Sequence, residues 1–340
     1  MTGEFPDPGT VRAVLQLAAR APSVHNSQPW LWTVGADTLH LYADTSKHLV
    51  RTDPDRRDLM LSCGAALHHA VVGLAALGWY GRVSRLPDPQ HPAHLASIKT
   101  VAQEPAEVDV ALAAAIPRRR TDRRHFSSWV VPRADIATIG VRVARMGVQM
   151  RRVDLSAGIT AIVAEAVSRH VHDDEYLGEL TMWSGRYASA AGVPARNAPR
   201  PDPASRLPSR IFAGAALDQP PETDAASDHA VVLALGTAAD DPVDRLRAGE
   251  ATSMALLTCT ALGLASCPVT EPLEIDATRH AIREEVFGGV EHPQMMLRVG
   301  WAPVGANPLP ATPRRAFDDV VRYGPAGGGS SITTRPPSQR

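Results

Sequence analysis

The chain has 340 residues, 44% of them hydrophobic and 5% aromatic, with 35 Lys+Arg against 36 Asp+Glu. That length suits roughly two cores of ~150 residues built mainly from Ala, Val and Leu, and a net charge near zero leaves no basic field for nucleic acid. Cys63, Cys259 and Cys267 are the only cysteines and form no C-x-x-C pair, which argues against a disulfide framework or zinc knuckle and for a reducing cytoplasm.

Taken in chain order, Thr10 to Arg20 reads as a short helix, with Val11, Val14, Leu15 and Ala18 on one face and Pro22 beyond its end. Trp30–Val34 and Leu39–Tyr42 read as two strands around Gly35-Ala36-Asp37. Leu59 to Leu77 is a long apolar helix stopped at Gly78, followed by strands at Val83–Leu86 and Ala96–Val101 and a helix at Val108–Ile116 that Pro117 ends. The rest repeats the plan: a helix at Ala134–Arg145, a strand at Val148–Val153, a helix at Ala157–His170, a buried strand at Val231–Leu235, a long helix at Glu250–Leu262 and a last strand at Gln294–Val299. The N-terminus lacks the basic and apolar regions of a signal peptide, no apolar run reaches a membrane span, and the Gly/Ser/Pro-rich tail at 325–340 is expected to be disordered.

The two halves share a signature. Gly64-x-Ala66 leads to Ala76-Leu77-Gly78, and Gly249-x-Ala251 leads to Ala261-Leu262-Gly263, at one offset (249 − 64 and 263 − 78 both give 185). Small residues let two helices approach closely, and each trailing glycine suits a left-handed cap. The early helices match at a smaller offset (145 − 20 gives 125), so the second half carries about 60 extra residues before its long helix. Part of that excess, 182–213, holds five prolines and five arginines, among them Arg200 and Arg210. It cannot be a regular element; a loop this long is a lid, a binding loop or disorder, and it reads as a lid in preference to a floppy insert. His68 and His69 point about 100° apart on their helix, so they read as packing or polar contacts and not as a metal pair.

Four segments carry candidate chemistry. Pro22-Ser23-Val24-His25-Asn26-Ser27-Gln28-Pro29-Trp30 offers short groups that both donate and accept hydrogen bonds at a helix-to-strand turn. Arg120-Thr121-Asp122-Arg123-Arg124-His125-Phe126 is either a solvated basic loop or an anion site. Alternation along an extended segment puts Arg120, Asp122 and Arg124 on one side. Cys267-Pro268-Val269-Thr270-Glu271-Pro272 follows a helix end, and Arg314-Arg315 precedes an acidic, apolar segment near the C-terminus.

Together these segments resemble the flavin-site motifs of the nitroreductase superfamily, in particular its Acg-like actinobacterial branch of NAD(P)H nitroreductases, over most of residues 8 to 323. The order is inverted: the Pro-Ser-x-x-Asn-x-Gln-Pro turn comes before the arginine motif, not after it. The resemblance therefore implies an α+β, nitroreductase-like fold in which two subunits are fused in tandem, a pseudo-dimer with antiparallel-rich sheets flanked by helices. The halves would be 1–107, a degenerate unit, and 108–324, with the lid at 182–213. The first half lacks its own arginine motif and the second, with Met146-Gly147-Val148-Gln149, lacks its own turn, so one FMN site and one dead pseudo-site are expected. The flavin contacts implied are Pro22, Ser23, Asn26, Gln28, Arg120, Asp122, Arg124, Pro268, Thr270, Glu271, Arg314 and Arg315. The arginine pair would hold the phosphate, and the backbone N–H at Thr270 would reach the flavin N5.

The Asn and Lys that grip the flavin pyrimidine in simpler relatives have no counterpart; the insert stands in their place. The implied activity is NAD(P)H-dependent reduction of nitro compounds or quinones through FMN, without a metal, by a monomer or homodimer that binds neither nucleic acid nor membrane. The alternative is a flavin-sequestering stress protein with a covered FMN and little turnover. Asp122 alone suggests a third, oxygen-using flavin-cleaving activity.

Overall fold

A computed structural model describes residues 5–185, 189–220 and 223–324. The tail expected to be disordered, 325–340, lies outside the described residues. The first half runs α1 (Pro8–Ala18), β1 (Trp30–Val34), β2 (Thr38–Ala43), α2 (Arg57–Ala76), β3 (Trp79–Arg85), β4 (His94–Ala102) and α3 (Glu107–Ala115). The second runs α4 (Arg133–Ala144), β5 (Gln149–Val153), α5 (Ala157–Val171), α6 (Asp174–Met182), β6 (Val231–Thr237), α7 (Pro242–Ala261), β7 (Ala265–Val269), α8 (Asp276–Phe287), β8 (His292–Gly300), α9 (Phe317–Val320) and β9 (Val321–Tyr323). The fold is α+β, as the resemblance implied.

One sheet has the order β3-β4-β2-β1-β9 and the other β5-β6-β8-β7. Matching β1, β2, β3 and β4 to β5, β6, β7 and β8 gives the same strand order in both, and within each set of four every pairing is antiparallel. The exception is β9, which leaves the second half and pairs parallel to β1, Trp32 opposite Val321. The C-terminal strand thus completes the first sheet.

The long helices α2 and α7 cross between the sheets, and glycine sets how closely. A Cβ on Gly64 would lie 2.1 Å from the Leu246 carbonyl oxygen, and one on Gly249 would lie 2.1 Å from that of Leu61. These contacts exchange at the 185-residue offset seen in the sequence, as does the bond of His68 Nδ1 to Ser253 Oγ, at 2.8 Å and |i−j| of 185. Leu246 is buried in the core built mainly from the first half and Leu61 in the core built mainly from the second, so each helix contributes a side chain to the other core. Both helices end at a glycine of positive φ, Gly78 at 89° and Gly263 at 80°, a conformation cheap only without a Cβ. By length and composition α2 could cross a membrane, yet 83% of that stretch is buried inside the fold. His69, like His68, is buried, and its Nδ1 lies 3.2 Å from the Leu17 carbonyl; neither belongs to a metal-binding group among the described residues.

Candidate active site

Where the halves meet, α2 presents Asp58, Leu61, Ser62 and Ala65, a helical i, i+3, i+4, i+7 stripe, to a cavity of about 160 Å³. Around it stand the turn at Pro22–His25, the extended stretch at Thr121–His125 and the end of β7 from Cys267 to Glu271. The roof is the insert, through Pro199, Asp202, Leu207, Arg210 and Phe212 among others, with Gln219 just beyond it. A water needs roughly 10–15 Å³ on this measure, so the space holds on the order of a dozen waters, the scale of one tricyclic ring.

The first turn is built under backbone strain. His25, Asn26 and Gln28 have φ of 45°, 54° and 53°, a region that residues with a Cβ seldom adopt and that clusters at functional sites. Ser23 Oγ accepts from the Gln28 N–H at 3.0 Å, and Ser62 Oγ of α2 accepts from that of Val24 at 3.1 Å, which locks the turn against the helix. Pro22, Ser23 and His25 then face the cavity. Asn26 and Gln28 do not. Asn26 donates to the Gly192 and Pro313 carbonyls, both at 3.1 Å, and its Oδ1 accepts from Arg314 at 3.0 Å. Gln28 donates to the Ala190 carbonyl at 2.8 Å and accepts from the Arg315 N–H at 2.8 Å. These two amides tie the insert and the C-terminal segment to the first half.

The arginine segment lies one register step away from the expectation. Thr121, Arg123 and His125 face the cavity; Arg120, Asp122 and Arg124 lie behind them. The cause is non-local. The Asp122 N–H donates to the Ser266 carbonyl of β7 at 3.0 Å, and Phe126, fully buried, fills the space over Gly300 where a Cβ would come 2.5 Å from its ring. With Phe126 fixed inward at that point, strand alternation sends the odd positions to the cavity. Arg124 is held by Asp122 at 2.8 and 3.0 Å and donates to the Asn307 carbonyl at 3.1 Å. Arg120 caps the Pro117 carbonyl at 2.8 Å.

Behind the cavity wall the arginines gather without counter-ions. Arg20, Arg119, Arg120 and Arg314 have no ion pair with a carboxylate among the described residues. Arg119 is 6% exposed; its Nε has no partner, and its Nη1 reaches only Thr121 Oγ1, at 3.5 Å. Burial, then Arg120, Arg20 and Arg123, push its pKa down to about 10. Burial, then Arg119, Arg20 and Arg120, push that of Arg314 down to about 9, and its Nε is unpartnered too. Like charges this close, with Arg119 and Arg314 buried, repel one another, and an anion bound between them would relieve that repulsion. Arg315 stands apart, on Asp44 at 2.9 Å and the Gln28 carbonyl at 3.0 Å.

Pro268, Thr270 and Glu271 line the cavity as a group. Thr270 Oγ1 donates to Glu274 at 2.6 Å, and Glu271 meets His170 Nδ1 at 3.2 Å. Into this corner the insert drives Arg210, which pairs with Glu274 at 2.5 Å, reaches Thr270 Oγ1 at 3.3 Å and donates to His25 Nε2. Burial works against the Arg210 charge, but Glu274, Tyr176 and Glu271 outweigh it and hold the guanidinium protonated. Burial, and then Arg210 and Arg123, press the His25 pKa well below the imidazole range, so its Nε2 is free to accept. Phe212, two residues on, covers the Arg123 guanidinium at 4.8 Å.

The sequence reading missed Asp58, His25, Arg123, His125, Arg119 and Arg210. For Arg123 and His125 a signal existed: their segment contains two interleaved basic alternations, and a buried Phe126 selects between them.

No family model matches the chain. A protein of Mycobacterium tuberculosis (strain H37Rv) named "Putative NAD(P)H nitroreductase" is 58% identical over 323 residues, covering 95% of this chain and 94% of that one. A second from the same strain, named "Putative NAD(P)H nitroreductase acg", is 35% identical over 316 residues, covering 91% and 94%. A solved structure described as "a putative nitroreductase" from Anabaena variabilis aligns with a TM-score of 0.45 at 10% identity, covering 88% of this chain and 90% of that one. With more than half of its residues shared across almost the entire length of the first relative, this chain belongs to the Acg-like NAD(P)H nitroreductase family.

Proposed function

We propose that the protein is an FMN-dependent NAD(P)H oxidoreductase that reduces nitro compounds or quinones. The observation that carries this is the carboxylate-free arginine cluster beside a ring-sized cavity. The cavity and the orphaned guanidinium nitrogens fit a planar ring joined to a phosphate. Arg20, Arg119, Arg120 and Arg314 would hold the phosphate. Pro22, Ser23, Arg123, Pro268, Thr270 and Glu271 would surround the ring. Bound there, FMN would accept hydride from NAD(P)H and pass it to the substrate. The protein's own part is to fix the ring, neutralise the phosphate and exclude water with Leu61, Ala65, Leu207 and Met295.

Of the residues expected to touch the flavin, Asn26, Gln28, Arg124 and Arg315 are assigned instead to holding the C-terminal segment and the insert, and Asp122 to holding Arg124. The shared strand order and the exchange-related helix crossing support a tandem of two nitroreductase-like units, 1–107 and 108–324, acting as a monomer in the cytoplasm. In that reading β9 is the arm the second unit lends to the first.

A second reading has one specific observation behind it. Arg210 is latched on Glu274, Thr270 and His25 inside the cavity, beneath a roof formed by the insert, as a flavin-sequestering protein would need. Anaerobic mixing with NADPH, followed by menadione or nitrofurazone, separates the two. Rapid bleaching and re-oxidation of the flavin supports turnover. Bleaching that appears only on Arg210→Ala supports the covered form. Protein that stays colourless after soaking in excess FMN overturns both.

A further inference from the structure

Asp58 is the one acid that α2 turns into the cavity, and its chemistry is unfinished. The residue is 2% exposed, and neither carboxylate oxygen has a hydrogen-bond partner. Arg57 Nη2 comes within 2.6 Å of Oδ1, but it too makes no aligned hydrogen bond: the same guanidinium is spent, through Nη1, on the Gln294 carbonyl. The backbone of Asp58 is well satisfied, its N–H donating to Asp53 Oδ1 at 2.8 Å and its carbonyl accepting from Ser62 Oγ at 2.6 Å. Only the side chain is left over. A buried carboxylate without donors costs several kcal/mol, and proteins seldom keep one unless something else completes it.

We propose that Asp58 is a ligand-binding residue of the cavity, its carboxylate accepting a hydrogen bond from an N–H donor on the edge of the bound ring compound. This inference rests on reading the cavity as a flavin site. Two sources present such a donor there, the imide of the flavin and the carboxamide of a nicotinamide, and an ionised Asp58 suits either because it can only accept. Phenyl and quinone rings carry no such group, so the residue also discriminates between occupants.

Binding is then tied to a proton. The charged and titratable groups around Asp58 are Arg57 on α2, Asp53 and Asp55 in the loop before it, Glu274 beyond β7, Arg210 from the insert and the neutral His25 of the first turn. Burial lifts the Asp58 pKa to about 6, Arg57 and Arg210 lower it, and Glu274 and Asp55 raise it. The carboxyl is therefore ionised at neutral pH and takes up a proton as the pH falls through about 6, which removes its charge and turns one of its two acceptor oxygens into a donor.

The test titrates FMN into flavin-free protein by fluorescence quenching, and NADP⁺ into FMN-loaded protein, from pH 5 to pH 7.5, for wild type, Asp58→Asn and Asp58→Ala. The flavin phosphate titrates in the same range, so the quantity read is the difference between wild type and variant. The wild-type affinity should lose about tenfold more than that of Asp58→Asn between pH 7.5 and pH 5. Asp58→Ala should bind about ten- to a hundredfold more weakly at pH 7.5, while Asp58→Asn, which keeps an acceptor oxygen, loses less. Flavin-free Asp58→Asn leaves the buried Arg57 guanidinium without its carboxylate partner and should melt lower than wild type, so the titrations are read on protein shown by its melt to be folded. The effect in the FMN arm assigns the donor to the flavin imide, and the effect in the NADP⁺ arm alone assigns it to the nicotinamide carboxamide. Binding in both arms that ignores the variants and shows the same pH profile overturns the inference and leaves the flavin reading standing. Wild type that takes up no FMN at any pH overturns both.

Discussion

Arg119→Met should make the flavin-free protein more stable and its flavin binding worse, and the size of each effect follows from the site. The Arg119 guanidinium is 6% exposed with an unpartnered Nε, and its pKa is pushed from 12.5 down to about 10, first by burial and then by Arg120, Arg20 and Arg123. For a base whose folded pKa is depressed, folding is penalised wherever the charged form dominates, fully so below pH 10, and the penalty fades as the pH rises toward the unfolded value. At neutral pH the cost is on the order of 3 kcal/mol. Methionine has a similar stem and no charge, so it should recover much of that. For a chain this long, unfolding as one unit, this means a melting point up to about 4 °C higher.

FMN reverses the sign, since its phosphate supplies the counter-charge. Losing one buried charge-assisted contact should weaken FMN about ten- to a hundredfold and leave riboflavin, which has no phosphate, nearly unchanged. Differential scanning calorimetry of the flavin-free proteins and fluorescence titration with both flavins read the two effects. A variant that melts lower than wild type without flavin, or one that loses riboflavin as much as FMN, would refute the claim that these arginines await a phosphate.

Other outcomes follow from the same geometry. Gly249→Ala or Gly64→Ala puts a methyl 2.1 Å from a backbone oxygen of the opposite helix. Neither helix can yield without moving the other, so denaturant melts should show a loss of about 3 kcal/mol or more, and a loss below 1 kcal/mol would mean the crossing is looser than described. Arg210→Ala removes the contacts to Glu274, Thr270 and His25; stopped-flow mixing should show NADPH reducing the flavin at least about tenfold faster if the insert gates access, and an unchanged rate would free Arg210 of that role. Asp240 joins Arg245, Arg279 and Gln294 at 3.0, 2.8 and 2.9 Å. Burial opposes its ionisation, but those hydrogen bonds prevail and hold its pKa below the usual carboxylate range. Its contribution is therefore present above about pH 4 and lost as the pH falls. Asp240→Asn should flatten the acid limb of the melting-point profile, and an unchanged limb would place the acid sensitivity elsewhere.

The parts of the chain that were legible in sequence are those where local pattern and burial agree. Trp30–Val34 alternates and is buried at every other residue, and Gly78 and Gly263 end α2 and α7 as expected. The misses are of another kind. The first two turns of α7 carry Asp244, Arg245 and Arg247, whose ion pairs hide the apolar period, although Asp241 caps them and Pro242 opens them. α8 shows a thin stripe of Thr278, Ile282 and Phe287 among charges. β7 contains Pro268 and reads as a turn, yet it is an edge strand, where a missing N–H costs no ladder bond. β9 is three residues long and exists only because β1 offers an open edge. The register of the arginine segment depends on Phe126 meeting Gly300, a contact between distant residues that alternation alone cannot see.

The tandem proposed above would explain why the site could become so uneven. In a symmetric dimer each surface is used twice, so an insert that roofs one cavity roofs the other as well, and a residue that serves as a clamp in one must be tolerated in its copy. In a fused tandem the two units are free to differ. Asn26 and Gln28 have become anchors for Arg314, Arg315 and the insert, at positions that have no counterpart in the second half. Those anchors hold the C-terminal segment close, and with it Arg314 beside Arg119. The same amides that close the roof therefore also place the charge. This predicts a coupling that a plain lid would lack: Asn26→Ala should loosen the insert and weaken FMN through its phosphate together, whereas Arg210→Ala should open access and leave the phosphate contacts unchanged. A double variant whose two effects simply add would argue against that shared anchorage.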